Sequence, residues 1–581
     1  MSLLPRSSQP KKTTTLSHRV RLALRNTANL SFRGATRTDT GAEQGGTSFL
    51  FARFKRRICL FFTLALVLFT SALSLPTSAS AQDTLASRIQ KVMDRPEFVR
   101  ANFGIEFLDL SNGKVIYSHD AKKLFVPAST TKLLTEGTLL AKLGADYRFH
   151  TKIYRTGPLD KKGRLKGDLI LVASGDPNLS NRTRSDATLA FEDEDHSYGG
   201  PAVSGDPLAV IKELTKAVYA KGVRKIDGRV LVDATLVPDG PREGGTGVVM
   251  SSIMVNDNVI DVTAKPGAKV GAPVFLQTNP STGYIKFVNH GVTGAADSKL
   301  LLDDPVFESN ADGSVVVTLS GSIPLGKEPQ TGGIGVPSPT LFAATVLREA
   351  LIAEGISIKN ASTGSDFNFF AARKFYTSEN ELADHISLPL AEEIKVTLKV
   401  SQNLHAGMGP YLLGAIVGKE AVNPLKKGFE IERAFLQDAK LDLSGISQGD
   451  GAGGDWADLF SPEFVCNYLA YWTTRPDYDV LFRALPILGK DGTLAKIQKT
   501  NPGAGHVFAK TGTFDSEDKL NGKEMLNGKG LAGYVITKSG RRLAFAAYVN
   551  HVSLPDIPDA AQSVGGQALG EIAAAAYDAE F

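Results

Sequence analysis

A serine hydroxyl becomes a good nucleophile only when a neighbour takes its proton. Ser129 and Lys132, in FVPASTTK (125–132), stand three residues apart, so on a helix their side chains share one face and can touch. Lysine serves as such a base where burial or nearby positive charge lowers its pKa toward neutrality. Pro127-Ala128 leads into the pair and LLTEGTLLAKLG follows, which predicts a helix starting there and stopping at Gly144. Free N–H groups at the start of that helix would stabilise an oxyanion. A second S-x-x-K, Ser516 and Lys519, falls in a Gly/Asn/Lys-rich loop with no helix behind it and is set aside.

Two further motifs follow in order. SQN, Ser401–Asn403, lies in the helical stretch EEIKVTLKVSQNLHAGM; Ser401 could relay a proton and Asn403 could hydrogen-bond an amide. AKTGTF (509–514) offers a second cation, Lys510, with Thr511, Gly512 and Thr513 on a predicted strand. Its glycine would let a ligand approach the backbone. SEN at 378–380 reads as a decoy in a charged loop. GISQG (445–449) matches a nucleophile elbow around Ser447, but DGAGGDWAD follows it where a helix is needed. FEDEDHSYGG (191–200) reads as a solvated acidic loop, with a metal site the lesser alternative.

These side chains need a rigid frame. NFGIEFLDL–SNG–KVIYSHD near the start and LAGYVIT–KSG–RRLAFAAYVNHV near the end both read as hairpins of alternating apolar residues. LASRIQKVM and the Ala-rich C-terminal segment read as helices. Together they predict an α+β domain, one antiparallel sheet flanked by helices, assembled from 82–155 and 385–581. Residues 156–384 are strand-rich and read as an insertion, two nested β-rich domains, with one amphipathic helix at PTLFAATVLREALIAEGI.

The net charge of +4 hides an asymmetry: 12 Lys/Arg against 2 Asp/Glu in residues 1–81, and 53 against 59 thereafter. The body is mildly acidic, which argues against nucleic acid as a partner. Residues 1–50 read as a disordered extension. FARFKRR, an apolar run of 18 and Ala79-Ser80-Ala81 then read as a signal peptide over 51–81, placing the protein in the periplasm or otherwise outside the cytoplasm. A membrane anchor is the other reading of that run, and peripheral membrane contact stays open. Of two cysteines only Cys466 lies beyond that segment, so no internal disulfide is expected. No Cys/His cluster has zinc spacing.

S-x-x-K, S-x-N and K-T-G in this order resemble the penicillin-recognising serine enzymes, and one branch in particular. PASTTK, GDLILVASGDPNL, GRVLVDATLV, MVNDNVIDVTAKPG, LPILGKDGTL and AKTGT followed by LAGYV are similar to D-alanyl-D-alanine carboxypeptidase/endopeptidases of the low-molecular-mass class C type, peptidase family S13. The likeness runs over roughly 86–560, and the 272 residues between Ser129 and Ser401 fit that branch's two inserted domains. The resemblance implies a penicillin-binding transpeptidase-like fold acting on peptidoglycan stem peptides, acylated by β-lactams, with no cofactor and no metal. It implies Ser129 as nucleophile, Lys132 as base and Ser401 as proton relay. Asn403, Lys510, Thr511, Gly512 and Thr513 would bind substrate, and the N–H groups of Ser129 and Thr513 would form the oxyanion hole.

Three departures stand out: Ala452 replaces a serine in DGAGG (450–454), Gly407 replaces an acid after S-x-N, and 515–530 is an extension that could lie over the cleft. A class-A-like β-lactamase shares the boxes but not the long insertion. A non-catalytic wall-binding protein on the same scaffold would tolerate Ala452.

Overall fold

The computed structural model describes residues 84–360 and 366–579. The expected 1–50 extension and 51–81 signal peptide lie outside the described residues. The central sheet runs in the order Lys114–His119, Asn102–Asp109, Arg542–Asn550, Lys523–Ile536, Val507–Asp518, antiparallel throughout, with Val552–Ser553 pairing to the fourth of these. The two terminal hairpins thus sit side by side, Phe107 against Phe545 and Ile105 against Ala547.

Alternation decides what covers each face. Ala544, Ala546 and Tyr548 point into a core with the helix Pro462–Trp472. Leu543, Phe545, Ala547 and Val549 point into another, closed by the helices Leu85–Met93 and Gln567–Ala575. Both faces are dry, so these strands are apolar almost throughout. Cys466 lies buried in the first core and donates to the Glu106 carbonyl.

The helix Lys132–Leu143 is buried over most of its length and stops at Gly144, whose φ of 88° suits glycine. Gly137 in its middle lies against Tyr468 and Trp472, where a methyl would collide. The helices Leu390–Val400, Asn403–Leu412 and Pro424–Asp438 pack around it.

The intervening region is more mixed than a strand-rich reading implies. Its main sheet runs Glu381–Ile386, His150–Arg155, Leu169–Val172, Val230–Asp233, with the last two pairs of neighbours antiparallel and parallel respectively. The helices Ala209–Ala220 and Pro339–Ala353 pack on this unit. Strands 150–155 and 381–386 pair with each other, so they belong to this sheet rather than to the central one. Three smaller three-stranded sheets fill the stretch from Val259 to Gly335. Val237, Val248, Met250 and Met254 leave this region to join the core around the Lys132 helix.

Candidate active site

The turn before the helix carries Ser129. Residues Ala128–Thr131 form one 3₁₀ turn, entered through Ala128 at φ 47°, a left-handed conformation costly for a residue with a Cβ. Thr130 Oγ1 donates to the Pro127 carbonyl at 2.8 Å and pins the turn. The Gly512 strand crosses directly over it. A methyl at 512 would run into the Pro127 carbonyl and stand 3.1 Å from the Ser129 nitrogen. The glycine therefore admits the chain's own Ser129 turn, where the sequence suggested a ligand. Gly453, at φ 89°, makes room in the same way beside Ala128.

The three boxes meet at this turn. Lys132 Nζ donates to Ser129 Oγ at 2.7 Å, to Asn403 Oδ1 at 2.6 Å and to the Ala452 carbonyl at 2.9 Å. That last contact explains why an alanine suffices in DGAGG: the backbone oxygen makes it, and the Ala452 methyl is buried. The Asp450 carboxylate gathers the N–H groups of Ala452, Gly453 and Gly454 at 2.8, 2.6 and 3.0 Å, fixing the loop. Lys510 Nζ donates to Ser401 Oγ at 2.7 Å and to the Thr511 carbonyl at 2.9 Å. Thr511 Oγ1 meets Thr493, and Thr513 lies exposed at the strand edge.

Burial sets the electrostatics. Lys132 is inaccessible to solvent, and desolvation lowers its pKa to about 8 against the opposing fields of Asp450, Glu243, Glu136 and Asp458. Desolvation pushes Lys510 well below the usual lysine range, with Lys132 and Lys529 adding like-charge repulsion. Burial, then its neighbour Asp450, raises Asp458 to about 8.

Ser401 does not lie inside a helix as expected. It ends the helix Leu390–Val400 at φ 63°, and a new helix starts at Asn403. This break turns its hydroxyl toward Lys510. Distant residues hold it: Tyr198 Oη donates to the Ser401 carbonyl at 3.0 Å, and Gln402 Nε2 donates to Asp195 at 3.1 Å.

Those partners correct the reading of FEDEDHSYGG. Asp195, His196 and Ser197 are buried. Asp257 accepts from Arg182 at 2.7 Å, His196 at 2.8 Å and His405 at 2.9 Å, and His196 reaches Asp261 at 2.6 Å. Asp195, His196 and Asp257 lie within the spacing of a metal site, but the Arg182 guanidinium bridges the two carboxylates, and against desolvation the neighbouring Asp261 and Asp257 hold the His196 imidazole well above its usual range, which adds a second positive charge. The cluster ties the inserted region to the S-x-N helix through His405.

Sequence reasoning missed Tyr198, Asp195, Asp257 and Glu243, because contacts across such distances leave no local spacing. Glu243 stands beside Gly407, where a side chain would press on Met250 Sδ. Its carboxylate accepts from the N–H groups of Gly245, Thr246 and Gly247 in its own loop, and its field reaches Lys132. Of the rejected motifs, Ser447 is exposed on a two-residue strand and Asn380 lies in a surface turn, while Ser516, expected in a loop, is exposed on the strand Val507–Asp518.

A serine touching a buried lysine, a hydroxyl held by a second lysine and an amide between them are the arrangement that the resemblance to penicillin-recognising serine enzymes implies. Residues 85–568 match the D-Ala-D-Ala carboxypeptidase 3 (S13) family, and the chain belongs to it. It is accordingly a serine-type D-Ala-D-Ala carboxypeptidase. A D-alanyl-D-alanine carboxypeptidase of an Actinomadura species is 28% identical over 451 residues, 75% of this chain and 78% of that one. The penicillin-sensitive carboxypeptidase A of Dictyostelium discoideum is 22% identical over 435 residues, covering 72% and 78%. The crystal structure of penicillin binding protein 4 from Haemophilus influenzae superposes with a TM-score of 0.64 at 19% identity, covering 84% of this chain and 97% of that one, which speaks for the shared fold.

Proposed function

We propose that this D,D-peptidase acts outside the cytoplasm on peptidoglycan stem peptides, through an acyl-enzyme on Ser129. Ser129 Oγ attacks the carbonyl of the penultimate D-Ala as Lys132 Nζ takes its proton. The N–H groups of Ser129 and Thr513 receive the developing oxyanion. Asn403 spends its oxygen on Lys132, leaving its amide N–H groups for the donor peptide carbonyl. Lys510, with Thr511 and Thr513, binds the terminal carboxylate. Because the Lys510 ammonium only donates, Ser401 Oγ accepts from it and its own proton points outward, ready for the leaving D-Ala nitrogen. The proton that Lys132 took from Ser129 replaces the one Ser401 gives up, which restores the Ser401 hydroxyl and the neutral Lys132 amine. Lys132 then takes a proton from water, the hydroxide displaces the acyl group as a free acid, and that proton returns to Ser129 Oγ. A β-lactam would acylate Ser129 by the same attack.

The observation that carries this reading is the 2.7 Å contact between a solvent-inaccessible Lys132 and Ser129 Oγ. Digestion of purified pentapeptide muropeptides and their cross-linked dimers, read by mass spectrometry, tests it. Release of D-Ala, cleavage of the cross-link, or both is expected, and none with Ser129→Ala. Equal products from both proteins would refute the assignment.

A further inference from the structure

Thr513 has a partner that none of the three boxes predicts. Lys529 stands directly opposite it in the strand ladder, and its Nζ donates to Thr513 Oγ1 at 2.6 Å. Lys529 belongs to the extension 515–530, whose two arms pair down to Asp518 and Lys523 and so continue the central sheet. The extension is thus a strand pair closed by a turn, and it delivers a lysine to the site's edge.

That lysine is among the largest wholly buried side chains of the molecule. Gln562 Oε1 accepts from it at 2.6 Å, and Gly565 packs against its stem. Burial brings its pKa down to about 8, with the fields of Asp559 and Asp515 acting in the opposite direction. An ammonium group has donors only, so Thr513 Oγ1 must accept from it. The threonine's own proton is then left to point to the exposed side, where Thr513 meets solvent. A hydroxyl donor backed by a cation suits a carboxylate. Lys132, Lys510 and Lys529 also lie close enough that like charge disfavours the ammonium form of Lys510. An anion bound among them would relieve that repulsion.

We propose that Lys529 positions Thr513 as a hydrogen-bond donor and thereby sharpens the site's selectivity for substrates ending in a free carboxylate. The inference rests on the D,D-peptidase reading above. Lysine 529 is a positioning residue acting through Thr513, and it contacts no reacting atom.

The test compares a diacylated L-Lys-D-Ala-D-Ala tripeptide with the same tripeptide carrying a terminal carboxamide, kcat and KM being measured separately. Lys529→Met is expected to lower kcat/KM on the free acid by about tenfold or more, chiefly through KM, and to change the amide by less than about twofold. Lys529→Arg, which keeps the donor charge, should retain the preference. Thr513→Val should lose it too, and the double variant should lose no more than either single one. Equal losses on both substrates, or no loss on the acid, would overturn the proposal, and a melting curve identifies the first as a folding defect. Failure of the unaltered protein to cleave either peptide or to be acylated at Ser129 would instead overturn the underlying D,D-peptidase reading.

Discussion

The fold withholds water from Lys132, which is what its proposed role as base requires. A buried ammonium with a pKa near 8 is neutral in roughly one molecule in ten at pH 7. Acylation of Ser129 by a penicillin should therefore rise about tenfold per pH unit below 7 and level off above about 8. Asp458 and Glu136, both raised to about 8 by burial, titrate in the same window and broaden the transition. A rate that stays flat from pH 6 to 9 would argue against Lys132 as the base. Lys132→Ala should lower acylation by about a thousandfold or more without unfolding the protein; normal acylation by a folded variant would end that assignment. At this scale the sequence was informative, because each box fixes residue types within three positions. Why Ala452 is tolerated was not legible, since the contact comes from its backbone carbonyl.

Elements place these side chains through tight and strained joints. The Ala128 turn and the Ser401 break both hold non-glycine residues at positive φ, conformations that persist only where the surroundings enforce them. Gly512→Ala should push the strand off the nucleophile turn. A displacement on the order of 1 Å would cost about a hundredfold in acylation, measurable against the melting temperature of the same variant. Wild-type rates would mean that the strand and turn are looser than the Gly512 contact implies. The two hairpins were readable from alternation because each strand has neighbours on both faces to satisfy. The helix break at Ser401 was not, because serine has no local need for a left-handed conformation. Tyr198, from two hundred residues away, helps to impose it.

Across the whole molecule, the inserted region takes part in the site. Arg182 lies between Asp195 and Asp257, and Asp257 also binds His405 on the S-x-N helix. Removing the guanidinium would strand buried carboxylates, so Arg182→Met should cost about 3–5 kcal/mol in denaturant unfolding. A change under about 1 kcal/mol would show that the cluster is not the clamp it resembles. A run of acids in sequence does not reveal a guanidinium and a second imidazole waiting elsewhere, so FEDEDHSYGG read as a solvated loop. Replacing 517–524 by a two-residue turn, with Lys529 kept, should alter preference between cross-linked and free stem peptides more than β-lactam acylation. Unchanged preference would limit the extension's role to presenting Lys529.

The most direct test of the account is an intact mass and peptide map of the purified protein after incubation with a penicillin. One drug-sized increment on the peptide carrying Ser129, absent in Ser129→Ala, is the predicted result. An unmodified Ser129 with no drug consumed, or an adduct on another residue, would contradict it.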